Sequence, residues 1–338
     1  MNPKGRMKLV SQGKKADRIP FLPTVFEHGA RFIGKTPSET AVDRNLLAEA
    51  HLKAYECYKH DAVTVGIDVY NIEAEALGCV VKFHDDNSIP GILVHGMREG
   101  IEFGKLAFST NLGRIQNVLT AADRVNKTIG HEVSVCLGIC GPFSIAAELL
   151  SYDNIVFKCI DDPDEVHSFL NAILKFQKDY CNEIIRLGLG ITIFESWATP
   201  PLISPEVYRE FVMPWEKELI THIKKQGIGS VPLVIGGDTT SILDDMMSTG
   251  TTLIVADYKV DLGHYIKKAS SKNLMLRGNI DPKLVQRGPI NDILENAERI
   301  LEKAKGYDRF VLGTGVIPYD TPPENVLAIK DFLERRKR

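Results

Sequence analysis

The chain has 338 residues, is 44% hydrophobic and 25% charged, and carries a formal net charge of −3. That is ordinary globular composition, long enough for one large α/β domain or two smaller ones. With Lys and Arg spread along the chain there is no basis for a nucleic-acid groove or a polybasic membrane patch, and no apolar run approaches the roughly 20 residues a membrane helix needs.

The N-terminal stretch MNPKGRMKLVSQGKK is basic but lacks a following apolar core, so it does not read as a secretory signal. Short, β-branched, nearly continuous apolar runs then recur at long intervals: IPFLPTVF (19–26), AVTVGIDV (62–69), VSVCLGIC (133–140), ITIFESW (191–197), VPLVIGG (231–237), TTLIVAD (251–257), LMLRGNI (274–280) and FVLGTGV (310–316). Continuity rather than alternation suits parallel strands buried on both faces. Amphipathic segments such as NLLAEAHLKAYECYKH and PDEVHSFLNAILKFQKDYCNEIIRLG separate most of them, and PENVLAIKDFLERRKR closes the chain. This alternation predicts a (β/α)8 TIM barrel, and one unbroken series favours the barrel over a doubly wound sheet. ALGCVVKFHDDNSIPGILVHGM (76–97) reads as a hairpin with an Asn-Ser/Pro-Gly turn, inserted after the second strand at the top of the barrel. No linker divides the chain, which predicts a single domain over 1–338. Cys57, Cys79, Cys136, Cys140, Cys159 and Cys181 are scattered without a Cys-x-x-Cys pair, as expected of reduced, mostly buried thiols in the cytoplasm.

In such barrels the chemistry lies at the C-terminal ends of the strands. Glu195 ends a buried strand, where a carboxylate must be paired or functional. His28, on the turn after the first strand, reads as functional or as a local capping group. Asp68 follows an apolar run. Phe26, Tyr70, Trp197 and Tyr319 stand near strand ends and suit an aromatic slot. Glu27, His28, Glu195 and Asp238 are candidates to supply a proton or anchor a metal. Asp238, in VIGGDTTSIL (234–243), equally suits capping of the helix that follows. Asn279 and Asp281 suit the turn after the seventh strand. Cys136 and Cys140 share a strand face and read as packing; the histidines other than His28 read as surface or packing.

ITIFESWATPPLISPEVYREFVMPWEKELI, with its Ser-Pro-x-x-Tyr-x-x-Phe-x-x-Pro helix, resembles a segment of the uroporphyrinogen decarboxylase-like proteins. LRGNIDPKLV resembles their Gly-Asn-x-Asp-Pro turn, LGTGVIPYDTPPENV their closing segment and GIDVYNIEAEALGCVVKF their second-strand region. The resemblance runs from about residue 15 to the end and independently implies the barrel. The family includes decarboxylases of uroporphyrinogen and corrinoid-dependent methyltransferases. The decarboxylase's Arg-Gln-Ala-Gly-Arg-Tyr segment is replaced by FEHGARFIGKTPSE, and the histidine of its Gly-His-Gly is Thr314; Asp68 does match the aspartate that contacts pyrrole nitrogens. In thiol methyltransferases the fifth strand ends His-x-Cys, and with a late Cys these side chains bind Zn²⁺. Here the positions are Val234, Gly236 and the Gly315–Val316 junction. What the resemblance then implies is methyl transfer from a small methylated substrate, first a methoxylated aromatic (O-demethylation) and second a methylamine, to Co(I) of a separate corrinoid protein. It makes Glu195, His28 and Asp68 catalytic candidates and Tyr70, Trp197, Asp238, Asn279, Tyr319 and Phe26 substrate-binding ones. No metal is predicted; Glu195 and Glu210 are the ligands if zinc binds. A homodimer is the default assembly. The alternatives are a thiol methyltransferase, a uroporphyrinogen decarboxylase and a non-catalytic ligand-binding barrel.

Overall fold

A computed structural model describes residues 1–336. Its strands are β1 (Phe21–Thr24), β2 (Ala62–Val65), β3 (Val80–Lys82), β4 (Gly91–Val94), β5 (Ser134–Cys140), β6 (Gly190–Phe194), β7 (Leu233–Val234), β8 (Leu253–Ala256), β9 (Met275–Ile280) and β10 (Phe310–Val316). Each of the eight apolar runs coincides with a strand, β6 starting one residue ahead of its run, and β3 and β4 form the inserted hairpin.

The barrel consists of two parallel four-stranded arcs, β1-β10-β9-β8 and β2-β5-β6-β7. They meet on both sides. Asp61 N–H donates to the Phe21 carbonyl at 2.9 Å, and Thr252 N–H donates to the Val231 carbonyl at 3.2 Å. Around the barrel the strands therefore follow chain order, as a right-handed βα series requires. β7 is only two residues long for a local reason: Pro232 has no N–H to give, and Gly237 turns the chain away with φ 77°.

The helical layer packs outside by its apolar stripe. Helix Pro163–Arg186 starts on Pro163, with Asp162 accepting from Glu165 N–H, and buries Val166, Phe169, Leu170, Ile173, Leu174 and Phe176. Such side chains contribute about 1.5–3 kcal/mol each when fully buried. The N-terminal stretch, expected only to be basic, is a helix, Pro3–Ser11; Asn2 Oδ1 accepts from Gly5 N–H at 2.8 Å. The Asn-Pro cap is present in the sequence, but the helix is held by distant charges. Arg6 and Arg18 both donate to fully buried Asp61, and Arg6 also to Asp17, clamping the helix across the N-terminal end of the barrel.

The hairpin departs from the expected tight turn. Val80 pairs with Val94 and Val81 with Ile92, but residues 83–90 form a loop, and Gly91 begins β4 instead of turning the chain.

Inward-facing positions on several strands are small: Thr24, Thr64, Cys136, Gly138 and Thr192. The interior is therefore not filled by layers of branched side chains. A cavity of about 800 Å³ enters from the N-terminal face. Another, of about 650 Å³, lies at the C-terminal ends of the strands. Thr24, Phe26, Phe194, Val234 and Arg277 line both and form the partition between them.

Candidate active site

The upper cavity is apolar on most of its wall. Phe26, Val69 and Phe194 cluster there with Tyr70 and Val234, the two Phe rings 5.5 Å apart. The hairpin adds Ile89, Pro90 and Ile92, and the end of β10 adds Gly315 and Val316. Its mouth is also apolar, since Ile89, Tyr258 and Val316 each line the cavity and remain exposed.

A few polar groups interrupt this wall. Glu27 opens the short helix Glu27–Arg31 directly after the first strand. Its Oε2 is buried without a hydrogen-bond partner among the described residues, and burial pushes its pKa up to about 7. Asp68 is ionically committed: Arg114 donates to both its oxygens at 3.0 and 2.7 Å, and Asn71 Nδ2 donates at 2.9 Å. The Tyr70 hydroxyl pairs with Ser196 Oγ. Trp197 stacks on Tyr152 at 5.3 Å and donates from Nε1 to Glu148 Oε1 at 2.7 Å. Burial raises the Glu148 pKa, and His95 Nδ1 donates to the Glu148 carbonyl at 2.7 Å. Asp257 accepts from the N–H groups of Gly237 and Tyr258, at 2.8 and 2.9 Å. Asn279 Oδ1 is buried and unpartnered. Arg277, two residues earlier on the same face of β9, brings a guanidinium to the floor.

The expected site residues divide. Phe26, Asp68, Tyr70, Trp197 and Asn279 stand on one cavity wall. Glu195 and His28 do not. Glu195 is fully buried behind the wall, and its Oε1 accepts from Ser144 N–H at 2.6 Å, inside the first turn of helix Pro142–Leu150. That is a favourable place for a carboxylate. Gly141 makes the room, since a Cβ there would lie 2.0 Å from Glu195 Oε2. Glu216 lies nearby and accepts from the Tyr208 hydroxyl at 2.5 Å; burial pushes both carboxyls up, Glu195 to about 7. The Tyr of the Ser-Pro-x-x-Tyr helix thus anchors a buried carboxyl pair. His28 is also fully buried, with Nε2 2.6 Å from the Tyr58 hydroxyl and Nδ1 3.2 Å from the Tyr319 carbonyl. Burial pushes it down to about 4, so it is a neutral tie between the first strand and the closing loop. Tyr319 contributes its carbonyl to that tie and is absent from the cavity wall. Asp238 is exposed and caps its own turn, accepting from Thr240 N–H at 3.0 Å and from Thr240 Oγ1 at 2.5 Å. Glu210 points outward towards His167, at 3.9 Å, and shares no site with Glu195.

Glu148, His95 and Arg277 were not among the expected site residues. Arg277 had a signal, because it shares a strand face with Asn279. His95 and Glu148 had none, since only the packing of the hairpin against helix Pro142–Leu150 brings them to one wall.

Val234, Gly236, Gly315 and Val316 all lie on the cavity wall. None offers a donor atom in its side chain, so this wall does not fit the zinc set of the thiol methyltransferases. No group of three or more His, Cys, Asp or Glu is arranged to hold a metal ion among the described residues.

The family model described as uroporphyrinogen decarboxylase (URO-D) matches residues 2–336. Methylcobamide:CoM methyltransferase MtbA of Methanosarcina acetivorans is 27% identical over 343 residues, covering 99% of this chain and 98% of that one. Uroporphyrinogen decarboxylase of Chlorobium phaeovibrioides is 26% identical over 302 residues, 86% of this chain and 84% of that one. Among solved structures, a methyltransferase from Methanosarcina mazei superposes with a TM-score of 0.88 at 24% identity over 99% of both chains, a likeness that speaks for the barrel.

Proposed function

The chain belongs to the uroporphyrinogen decarboxylase family, and from that premise we propose that it is a corrinoid-dependent methyltransferase, moving a methyl group from a small methylated substrate to Co(I) of a separate corrinoid protein. A methoxylated aromatic is the first substrate class and a methylamine the second. The observation that carries this reading is the wall of the upper cavity. It is apolar and aromatic, holds a protonatable carboxyl at Glu27, and has no metal-binding set where relatives that activate a thiol would need one.

The partner's corrinoid, a co-substrate, supplies the electron pair for the new bond to the methyl carbon. The remaining demand falls on the leaving group. As the methyl–oxygen bond breaks, its electron pair stays on the ether oxygen. Glu27, held near neutral pH by burial, delivers a proton to that oxygen and is left as the carboxylate. Phe26, Phe194, Tyr70 and Trp197 hold the ring and keep water away. Asp68, committed to Arg114, shapes the wall without proton transfer.

The decarboxylase reading fits less well, because that substrate carries many carboxylates and Arg277 is the sole Lys or Arg on the upper wall among the described residues. Mixing the protein with Co(I) corrinoid and 4-methoxybenzoate tests the proposal. The expected result is methylated corrinoid by absorbance, matched mole for mole by the free phenol. Transfer from no ether and no amine would sink the reading. Coproporphyrinogen formed from uroporphyrinogen would establish the decarboxylase in its place.

A further inference from the structure

Arg277 is a half-buried cation whose Nε is fully enclosed and without a hydrogen-bond partner among the described residues. It points into the barrel from the middle of β9, beside Val255 and Val311 on the neighbouring strands. Among the described residues none of its nitrogens has a hydrogen bond or an ion pair, and its one electrostatic neighbour is Asp257, whose oxygens are already held by two backbone N–H groups. The side chain is nevertheless given space. Gly313 on β10 is the reason, since a Cβ there would lie 2.7 Å from Arg277 Cδ and 2.8 Å from Asn279 Oδ1. Two polar side chains therefore converge over one glycine, Arg277 at the boundary of both cavities and Asn279 on the upper one, and among the described residues neither Arg277 Nε nor Asn279 Oδ1 has a partner.

The two cavities that Arg277 divides differ in charge, the upper one carrying Glu27, Asp68, Glu148 and Asp257 beside it; the lower one is positive. Lys4, Lys8, Lys224 and Arg277 line it, and among the described residues no Asp or Glu does. The three lysines are exposed, and positive charge around an opening favours entry of anions. A guanidinium presents a planar fork that matches a carboxylate, and it gains most where water is absent.

We propose that Arg277 is the anchor for a carboxylate on the methylated substrate, so that this substrate is an anion rather than a neutral ether or a cationic amine. The inference rests on the methyltransferase reading for the word substrate, but the anion site can be measured without methyl transfer. Arg277 holds one end of the molecule at the cavity floor, and the methylated group projects into the apolar wall that carries Glu27.

The experiment is calorimetric titration of the protein alone with benzoate, 4-methoxybenzoate and the neutral 4-methoxybenzamide. The acid is expected to bind at least about tenfold tighter than the amide, as a charge-assisted bidentate pair implies. Arg277→Gln should abolish that preference, and Arg277→Lys should keep part of it. Equal binding of acid and amide to the wild type, no binding of either, or an undiminished preference in Arg277→Gln would each overturn the inference. Circular dichroism verifies that the variants fold. Methyl transfer measured in parallel separates the two readings. Equal transfer from neutral methoxybenzene in wild type and Arg277→Gln, with no anion preference, would leave the methyltransferase standing and remove the anchor. An anion preference with no transfer from any donor would do the reverse.

Discussion

Glu27 sets the pH behaviour expected of the chemistry. In the proposed mechanism its carboxyl, pushed up to about 7 by burial, gives a proton only while protonated. The O-demethylation rate should therefore be flat on the acid side and fall as pH rises through about 7. Glu27→Gln should lower the rate by about 10²–10⁴-fold and remove that limb, with substrate affinity much less changed. A pH–rate profile of wild type and variant is the measurement; an unmoved limb would reassign the proton. Stability follows the same sign. A carboxyl whose folded pKa is above its ordinary value of 4.5 helps the fold fully below that value and loses this help as pH climbs to about 7. Arg277 carries a comparable conflict, so Arg277→Met should raise the melting temperature even as it removes anion binding. Asp68, Tyr70, Trp197, Phe26 and Asn279 were readable as cavity candidates because each stands at or just beyond the C-terminal end of a strand. Glu195 and His28 were readable as either functional or structural, but their partners were not, because Ser144, Tyr58 and Tyr319 are remote in the chain.

Helix Pro142–Leu150 and its glycine show how an element depends on one contact. Gly141→Ala would drive a methyl into the Glu195 carboxylate and should cost about 1–3 kcal/mol. Adding Glu195→Ala should relieve part of the clash, so the double variant should be less unstable than the sum of the singles in urea unfolding. Strict additivity would mean the two positions do not touch. The ends of β7 and β10 offer a different test. Val234, Gly236 and Val316 share the cavity wall, and a Cβ at Gly236 would meet only Asp257 Oδ2, at 3.8 Å. Val234→His with Gly236→Cys and Val316→Cys should therefore bind zinc at one equivalent after dialysis, whereas the wild type at this wall should not. Failure of the triple variant to hold zinc would show that these strand ends are not in the ligand geometry the resemblance implies.

At the scale of the whole molecule, the barrel has two openings with different character. The upper one is ringed by Ile89, Tyr258 and Val316, and the hairpin beside it exposes Leu93 and Val94. Exposed apolar side chains grouped beside a cavity mouth suit a protein partner that must bring cobalt to the substrate. Leu93→Asp should slow transfer to protein-borne corrinoid while leaving transfer to free Co(I) corrinoid unchanged; equal slowing of both would place the hairpin in the chemistry and not in docking. The eight strands, their order and the hairpin were determined by the sequence alone. Each is a local run of apolar, β-branched residues, and a local pattern needs no distant partner to be recognised. Which charged groups face the cavity, and which are neutralised behind it, was decided only by the tertiary structure. The state of a carboxyl, imidazole or guanidinium depends on the atoms around it, and those come from other elements: Ser144 for Glu195, Tyr58 for His28, Gly313 for Arg277.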